Sequence, residues 1–269
     1  MQLNTLSDLE FAKLQRLIFD IAGIHLAPSK KVMVAGRLAK RLKSRGLSSY
    51  GEYCRLLLSG EDRAELQLAV DLLTTNETYF FREPKHFEFL RDQILVRRKP
   101  GQPFRVWSAA CSSGEEPYSV AMLLADQLGE ADWRVVASDL STQVLAKARN
   151  GVYPVAAAEK IPPAYLKRYC LKGVGEQEGR LLVDRPLRER IEFRQINLNE
   201  PLPRLDSFDV IFLRNVMIYF QAATKAQVVA RVAERLKPGG HLFIGHSESL
   251  HGLTRDLQPV QPAVYRRPA

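Results

Sequence analysis

Residues 105–119, RVWSAACSSGEEPYS, decide the fold. Residues 106–110 are a short apolar run of strand length. Cys111, Ser112, Ser113 and Gly114 are small, and Glu115, Glu116 and Pro117 open an amphipathic run over 120–128. Strand, small-residue turn and helix make the first unit of an open α/β sheet, whose ligand sits at the strand's carboxyl end. The turn lacks the G-x-G-x-x-G spacing and places two carboxylates at the helix N-terminus. Acidic side chains suit that end of the helix dipole but would repel a pyrophosphate there. A cationic or hydroxyl-rich nucleoside is the better match, and S-adenosylmethionine, with its sulfonium, amino group and ribose, is one.

Downstream, strands and helices alternate, as in a mainly parallel sheet covered on both faces. Residues 134–138 read as a second strand ending in Asp139, 25 residues beyond Gly114 and well placed to accept ribose hydroxyls. A helix follows over 141–150. Residues 165–193 break the rhythm and read as a small antiparallel insertion, with a glycine-bearing turn at Gly173 and Gly175. FDVIFL, 208–213, is a buried-type strand. Residues 224–236 form an amphipathic helix stopped by KPGG, and 241–245 another strand.

Upstream, residues 1–75 read as a small helical domain. Ser7 with Glu10 is a capping-box signal, and Phe11, Leu14, Ile18 and Ile21 follow at helical spacing. A second helix, about 30–45, carries Val34, Leu38 and Leu42 on one stripe and Arg37, Arg41 and Arg45 on its neighbour. Residues 76–103 form a linker and a first helix, which starts near Pro84 and runs to about Arg98. The α/β domain then occupies 104–269.

The chain carries a formal net charge of +9. From Pro28 to Leu47 there are seven basic residues and no acidic one, which points to a negatively charged partner. No apolar stretch approaches the roughly 20 residues that span a bilayer. The first residues lack the pattern of a signal peptide. Three scattered cysteines without C-x-x-C argue against a disulfide framework and zinc, and the five histidines lack metal-ligand spacing. The expected class is a soluble cytoplasmic protein without membrane insertion.

Glu115/Glu116, Asp139, Asn197-Leu198 and Arg214-Asn215 all follow strands and so converge on one crevice. Four longer motifs make the pattern recognisable. LTTNETYFFRE (73–83), VWSAACSSGEEPYS (106–119), FLRNVMIYF (212–220) and LFIGHSES (242–249) resemble the CheR-type chemotaxis receptor methyltransferases over nearly the whole chain. The resemblance implies a Rossmann-like methyltransferase sheet with an inserted antiparallel β subdomain, behind an all-helical N-terminal domain. It also implies methyl transfer from S-adenosylmethionine to glutamate side chains on the cytoplasmic helices of chemoreceptors, leaving S-adenosylhomocysteine. Cofactor contacts would fall on Asn76, Thr78, Arg82, Glu116, Asp139, Asn197, Leu198, Arg214 and Asn215, with Arg82 and Tyr219 closest to the transferred methyl. Arg37, Arg41 and Arg45 would meet the receptor's acidic helices. Some family members hold a receptor tether peptide on the edge of the β subdomain, and Gly173-Val174-Gly175 resembles their loop. A monomer is expected.

The chemistry agrees with what the motifs lack. A glutamate, with a reference pKa of about 4.3, is already an ionised nucleophile at neutral pH and needs placement rather than a general base. Two alternatives stand beside this reading. A nucleic-acid methyltransferase would use the basic helix on phosphates, but RNVMIYF replaces the Asn/Asp-Pro-Pro-aromatic motif of base amino-methylation. The basic helix also lacks aromatics for base stacking. A non-catalytic S-adenosylmethionine-binding adaptor is the other, disfavoured by the presence of Arg82 and Tyr219.

Overall fold

In a computed structural model describing residues 5–269, the chain divides into two compact units. Residues 1–4 of the expected helical domain lie outside the described residues. One unit is the helical segment through Thr75 together with Tyr219–Lys225; the other comprises Asn76–Ile218 and Ala226–Ala269.

The helical unit contains α1 (Asp8–Ala22), α2 (Lys31–Ser44), α3 (Tyr50–Ser59) and α4 (Arg63–Leu73). Ser7 and Glu10 form the expected reciprocal cap, and Ser49 with Glu52 repeats it at α3. Phe11, Leu14 and Ile18 of α1 are buried, as are Val34, Leu38 and Leu42 of α2. The segment from Tyr219 joins this unit through an antiparallel bridge between Ile24 and Phe220, with His25 N–H donating to the Tyr219 carbonyl at 2.8 Å.

The larger unit starts with α5 (Pro84–Phe89), β1 (Phe104–Ser108), α6 (Glu115–Leu128), β2 (Trp133–Asp139) and α7 (Thr142–Asn150). It continues with β3 (Val152–Pro154), α8 (Pro163–Tyr169), β4 (Cys170–Lys172), β5 (Arg180–Val183), α9 (Arg185–Arg188), β6 (Ile191–Gln195) and β7 (Phe208–Leu213). Next come α10 (Ala222–Ala233), whose first turn groups with the helical unit, β8 (Leu236–Ile244), β9 (Gln258–Gln261) and β10 (Val264–Arg266). Seven strands form one sheet in the order β6-β2-β1-β7-β8-β10-β9. The first five are parallel, and β10 and β9 close the edge antiparallel. Crossovers put the carboxyl ends of the five parallel strands on one rim. FDVIFL is a central strand, with every residue but Asp209 buried.

The structure redraws three expectations. The inserted sheet is β3-β5-β4, spanning 152–183 rather than 165–193. Its first strand lies before the expected insertion, and Tyr165–Tyr169 is helical. Ile191–Gln195 instead pairs in parallel with β2, from Val135↔Ile191 to Asp139↔Gln195, as the edge of the large sheet. Five half-apolar residues read the same in a hairpin and at a parallel edge, so only the partner decides.

KPGG does not stop the helix. α10 ends at Ala233, and Lys237–Gly240 lie inside β8, where the pairing to β7 shifts register. Gly240 is needed there, because a Cβ would lie 2.9 Å from the Lys237 carbonyl oxygen and 3.1 Å from those of Phe208 and Asp209. The helix expected to run from Pro84 to about Arg98 is regular only to Phe89, then widens into a π turn over Leu90–Ile94 and tightens into a 3₁₀ turn at Leu95–Arg97.

Candidate active site

The loop after β1 is fixed from below by main-chain bonds and from the side by a carboxylate. Ala109 N–H donates to the Phe212 carbonyl of β7 and Cys111 N–H to the Ser138 carbonyl of β2, each at 2.8 Å. Asp139 Oδ2 accepts from Ser112 N–H and Oδ1 from Ser141 N–H, both at 2.9 Å. The acid expected to face a ribose therefore also builds the rim, tying the first loop to the turn after β2. Ser112 sits at φ 48°, and its hydroxyl donates to the Asn76 carbonyl at 2.9 Å. Gly114 has φ 100°, and a Cβ there would meet Tyr153 Oη at 2.8 Å and Ala148 Cβ at 2.9 Å. No other residue fits that corner.

The segment from Asn76 is held over this loop. Phe81, at φ 54°, donates its N–H to Ser119 Oγ at 2.9 Å, and that hydroxyl donates to the Glu115 carbonyl. Phe80 is buried against the Tyr153 ring, while Tyr79 is largely exposed. Thr78 is half-buried. Arg82 Nη1 donates to the Glu77 carbonyl at 2.9 Å, and its guanidinium lies 5.7 Å from the Tyr79 ring centre. The rest of its fork is left for other partners.

A buried charge network links this segment to the first and fourth pieces of the rim, Glu116 and Arg214-Asn215. Glu116 Oε1 accepts from Ser108 Oγ at 2.6 Å, and Oε2 accepts from Arg214 Nη1 at 3.0 Å. Arg214, 5% exposed, also lies 3.1 Å from Glu83 Oε2 and donates to the Arg82 carbonyl. Burial pushes the Glu116 carboxyl above its ordinary pKa, against the pull of Arg214 and the Ser108 hydroxyl. For Glu83, also partly buried, the pull of Arg214 and of the His246 N–H wins, and its pKa is lowered. Asn215, at φ 57°, donates Nδ2 to Glu83 Oε1 at 3.3 Å and N–H to Glu248 Oε2 at 2.9 Å. Asn197 closes a local turn through Asn199 N–H and Glu200, and the Leu198 carbonyl accepts from Arg231 at 3.0 Å.

Eight of the nine expected cofactor residues thus stand on the rim or in hydrogen-bonded contact with it, and Thr78 lies in the segment held over it. Tyr219 belongs to the other unit, at the end of the short turn Met217–Tyr219. Sequence reasoning missed Glu83 and Glu248, which organise Arg214 and Asn215. Their motifs, FFRE and GHSES, were visible; which partners they take was not.

The histidines also meet in a way their spacing hides. Glu83, His86 and His246 offer donor atoms all within 4.8 Å of one another, with Arg214 already beside the same Glu83 oxygen. His86 is fully buried against Phe243 and His246, and burial lowers its pKa to about 3.

Arg37, Arg41 and Arg45 are spent inside the helical unit. Arg37 donates to the Leu72 and Thr74 carbonyls at 3.1 and 2.8 Å. Arg41 grips buried Glu65 through two bonds, and Arg45 pairs with Asp62 at 2.5 Å. The stripe is structural mortar between α2 and α4. The exposed cations of this stretch are Lys30, Lys40, Lys43 and Arg45, the last of them engaged by Asp62.

Residues 76–265 match the CheR methyltransferase, SAM binding domain, and residues 9–74 match the CheR methyltransferase, all-alpha domain. The chain belongs to the CheR methyltransferase family. Chemotaxis protein methyltransferases of Escherichia coli (strain K12) and Salmonella typhimurium are 46% and 44% identical to it, covering 97% of this chain and 91% and 90% of theirs. One from Pseudomonas aeruginosa, chemotaxis protein methyltransferase 2, is 41% identical over 95% of this chain and 92% of its own. As a CheR methyltransferase the chain uses S-adenosylmethionine for methyl transfer in chemotaxis. Neither the nucleic-acid nor the adaptor alternative is favoured. The acidic character of the rim, with Glu116 and Asp139 on it, is chemically compatible with a cationic, hydroxyl-bearing ligand of that kind. Among the described residues no helix is long and apolar enough to cross a membrane.

Proposed function

We propose that this CheR methyltransferase esterifies glutamate side chains on the cytoplasmic helices of chemoreceptors. The supporting observation is the Arg82 segment. Asn76 bonds it to the loop after β1 and Phe81 to Ser119 of α6, beside the acidic rim, while most of the Arg82 fork is left without a protein partner. A guanidinium with open N–H groups is a carboxylate receptor. When bound, the cofactor would supply a sulfonium methyl, to which an ionised carboxylate oxygen bonds as the carbon–sulfur bond breaks and its electron pair leaves on the S-adenosylhomocysteine thioether, with no proton transfer.

The chain's own residues then have positioning tasks. Asp139, which also holds the first loop, accepts hydroxyl hydrogen bonds from the nucleoside. Glu116 with Arg214, together with Asn76, Thr78, Asn197, Leu198 and Asn215, shapes the cofactor crevice. Arg82 orients the acceptor carboxylate, and the Tyr219 hydroxyl aligns it. A tight Arg–carboxylate pair also stabilises the ground state, so Arg82 and Tyr219 orient the nucleophile more than they activate it.

Receptor docking passes from the arginine stripe to the exposed lysines of the same stretch, Lys30, Lys40 and Lys43, with Arg45 as a half-exposed neighbour. Positive charge there steers acidic receptor helices. A receptor tether peptide would add to the open edge of β4. Sheet edges offer unpaired backbone groups, and Gly173 makes the loop beside it possible, since a Cβ would stand 1.9 Å from the Gln177 carbonyl oxygen. The protein works as a cytoplasmic monomer in this reading.

The test is methyl transfer from labelled S-adenosylmethionine to a purified chemoreceptor cytoplasmic fragment. Base-labile label that disappears when acceptor glutamates become alanine is expected. Base-stable label, or transfer to nucleic acid instead, would overturn the ester assignment. Tyr219→Phe should lower turnover; unchanged turnover removes Tyr219 from its role.

A further inference from the structure

Three backbone N–H groups from two separate segments converge on the Glu248 side chain. Oε2 accepts from Gly245 N–H at 2.7 Å and from Asn215 N–H at 2.9 Å, and Oε1 accepts from Ile218 N–H at 3.2 Å. The Glu248 N–H in turn donates to the Gly245 carbonyl at 2.9 Å, so the carboxylate sits on a closed turn at the end of β8. The backbone here is tightly built. Asn215 is left-handed, and a Cβ on Gly245 would lie 2.5 Å from Asn215 Nδ2 and 2.9 Å from Glu248 Oε2. An anionic acceptor of several N–H groups is the usual means of holding such a turn.

From this we infer that Glu248 is a positioning residue for methyl transfer, with each of its oxygens setting a different part of the site. Oε2 fixes Asn215 against the end of β8, and with it the cofactor side. Oε1 fixes Ile218, the residue before Tyr219 in the chain, and with it the acceptor side. The inference rests on the proposed roles of Asn215 and Tyr219 and goes beyond them by naming the group that sets both.

The two oxygens make the idea separable by an isosteric change. Glu248→Gln keeps one oxygen and replaces the other by an amide nitrogen. The amide turns so that its oxygen keeps the two N–H groups of Gly245 and Asn215, which leaves its NH₂ facing Ile218 N–H. Two bonds outweigh one. This variant should bind S-adenosylhomocysteine within about threefold of wild type yet lose about tenfold in kcat, the size of one charge-assisted bond turned repulsive. Glu248→Ala frees both segments and should lose about tenfold in S-adenosylhomocysteine affinity as well.

The experiment is calorimetric binding of S-adenosylhomocysteine to the full chain, with kcat and KM for both substrates on the receptor fragment and a melting curve for each variant. A kcat loss in Glu248→Gln at nearly unchanged product affinity supports the proposal. Unchanged kcat in Glu248→Gln overturns it. So does a parallel fall of kcat and affinity in that variant, which is what general loosening of the fold produces. Glu248→Gln carries the test even where the alanine variant fails to fold. Asn215→Ala separates this from the cofactor assignment. Unchanged S-adenosylhomocysteine affinity there, with Glu248→Gln still slow, removes Asn215 from the cofactor site and leaves Glu248 acting on the acceptor side. If wild type modifies no receptor glutamate, the acceptor assignment fails first. Glu248 is then judged on binding, where an alanine variant with wild-type affinity overturns it.

Discussion

Glu116 at the start of α6 and Arg214 just past β7 lie 98 residues apart and meet at 3.0 Å in the interior of the larger unit. The contact binds the first loop of the sheet to the fourth strand's end, at the point where strand order reverses between β1 and β7. Ligands of open α/β sheets bind at that point.

Glu116→Gln should therefore weaken the site more than the fold. The charge buried at Glu116 is costly, and its raised pKa records that cost, so neutralising it returns part of the loss. An amide cannot accept from both Ser108 and Arg214 as the carboxylate does. The expected result is a stability change of about 1–3 kcal/mol by denaturant unfolding and about a tenfold drop in S-adenosylhomocysteine affinity by calorimetry.

Arg41 and Lys40 are neighbours in sequence with opposite expectations. Arg41→Ala strands Glu65, a 2% exposed carboxylate otherwise held by Tyr53 Oη at 2.7 Å and by Arg45 at 3.8 Å. A loss of about 3 kcal/mol in unfolding free energy is expected from breaking such a pair. Lys40→Glu with Lys43→Glu should leave the melting temperature alone. It should lower receptor methylation at low salt, an effect that fades as salt screens the charge.

Gly114→Ala places a methyl group against Tyr153 at a left-handed φ and should cost about 2–3 kcal/mol together with cofactor binding. Tyr153 Oη also donates to the Ser113 carbonyl at 2.7 Å. Removing that hydroxyl in Tyr153→Phe relieves one of the two clashes, leaving that with Ala148, while losing the bond. The double variant should then be less destabilised than the sum of the two, as a thermodynamic cycle would read.

Acidification should destabilise the protein through His86. Its folded pKa is lowered to about 3, from an ordinary value near 6.5, because it is buried neutral. Between those values the unfolded chain binds a proton that the folded chain does not, so stability is full above about pH 6.5 and falls as pH drops toward 3. His241, lowered to about 4 by burial and by Arg266, adds to the slope in the upper part of that window. Unfolding free energies at pH 7, 6 and 5 should decline by up to about 1.4 kcal/mol per unit for each such histidine. His241→Gln should flatten the decline.

Much of the fold was legible because it is encoded locally. The Ser7/Glu10 cap, the stripe Val34, Leu38 and Leu42, the run FDVIFL and the turn after β1 each carry their signal within a few residues. Errors fell where one segment suits two partners. Ile191–Gln195 had the composition of a hairpin strand and became a parallel edge, while Val152–Pro154 was too short and too exposed to show a pattern. β9 and β10 gave no signal strong enough to be read, and form by closing on β8.

The sequence by itself determined the alternation of strands and helices, the acidic first loop and the motifs that mark a CheR methyltransferase, because periodicity and turn chemistry are short-range properties of the chain. Tertiary structure alone decided which charges are available. Arg37, Arg41 and Arg45 read as an open basic stripe until α4 packs beside them and consumes their donors, and nothing local marks Glu83 and Glu248 until Arg214 and the N–H groups of Asn215 and Ile218 arrive from distant segments. A charge seeks its partner through space, and sequence records only its sign.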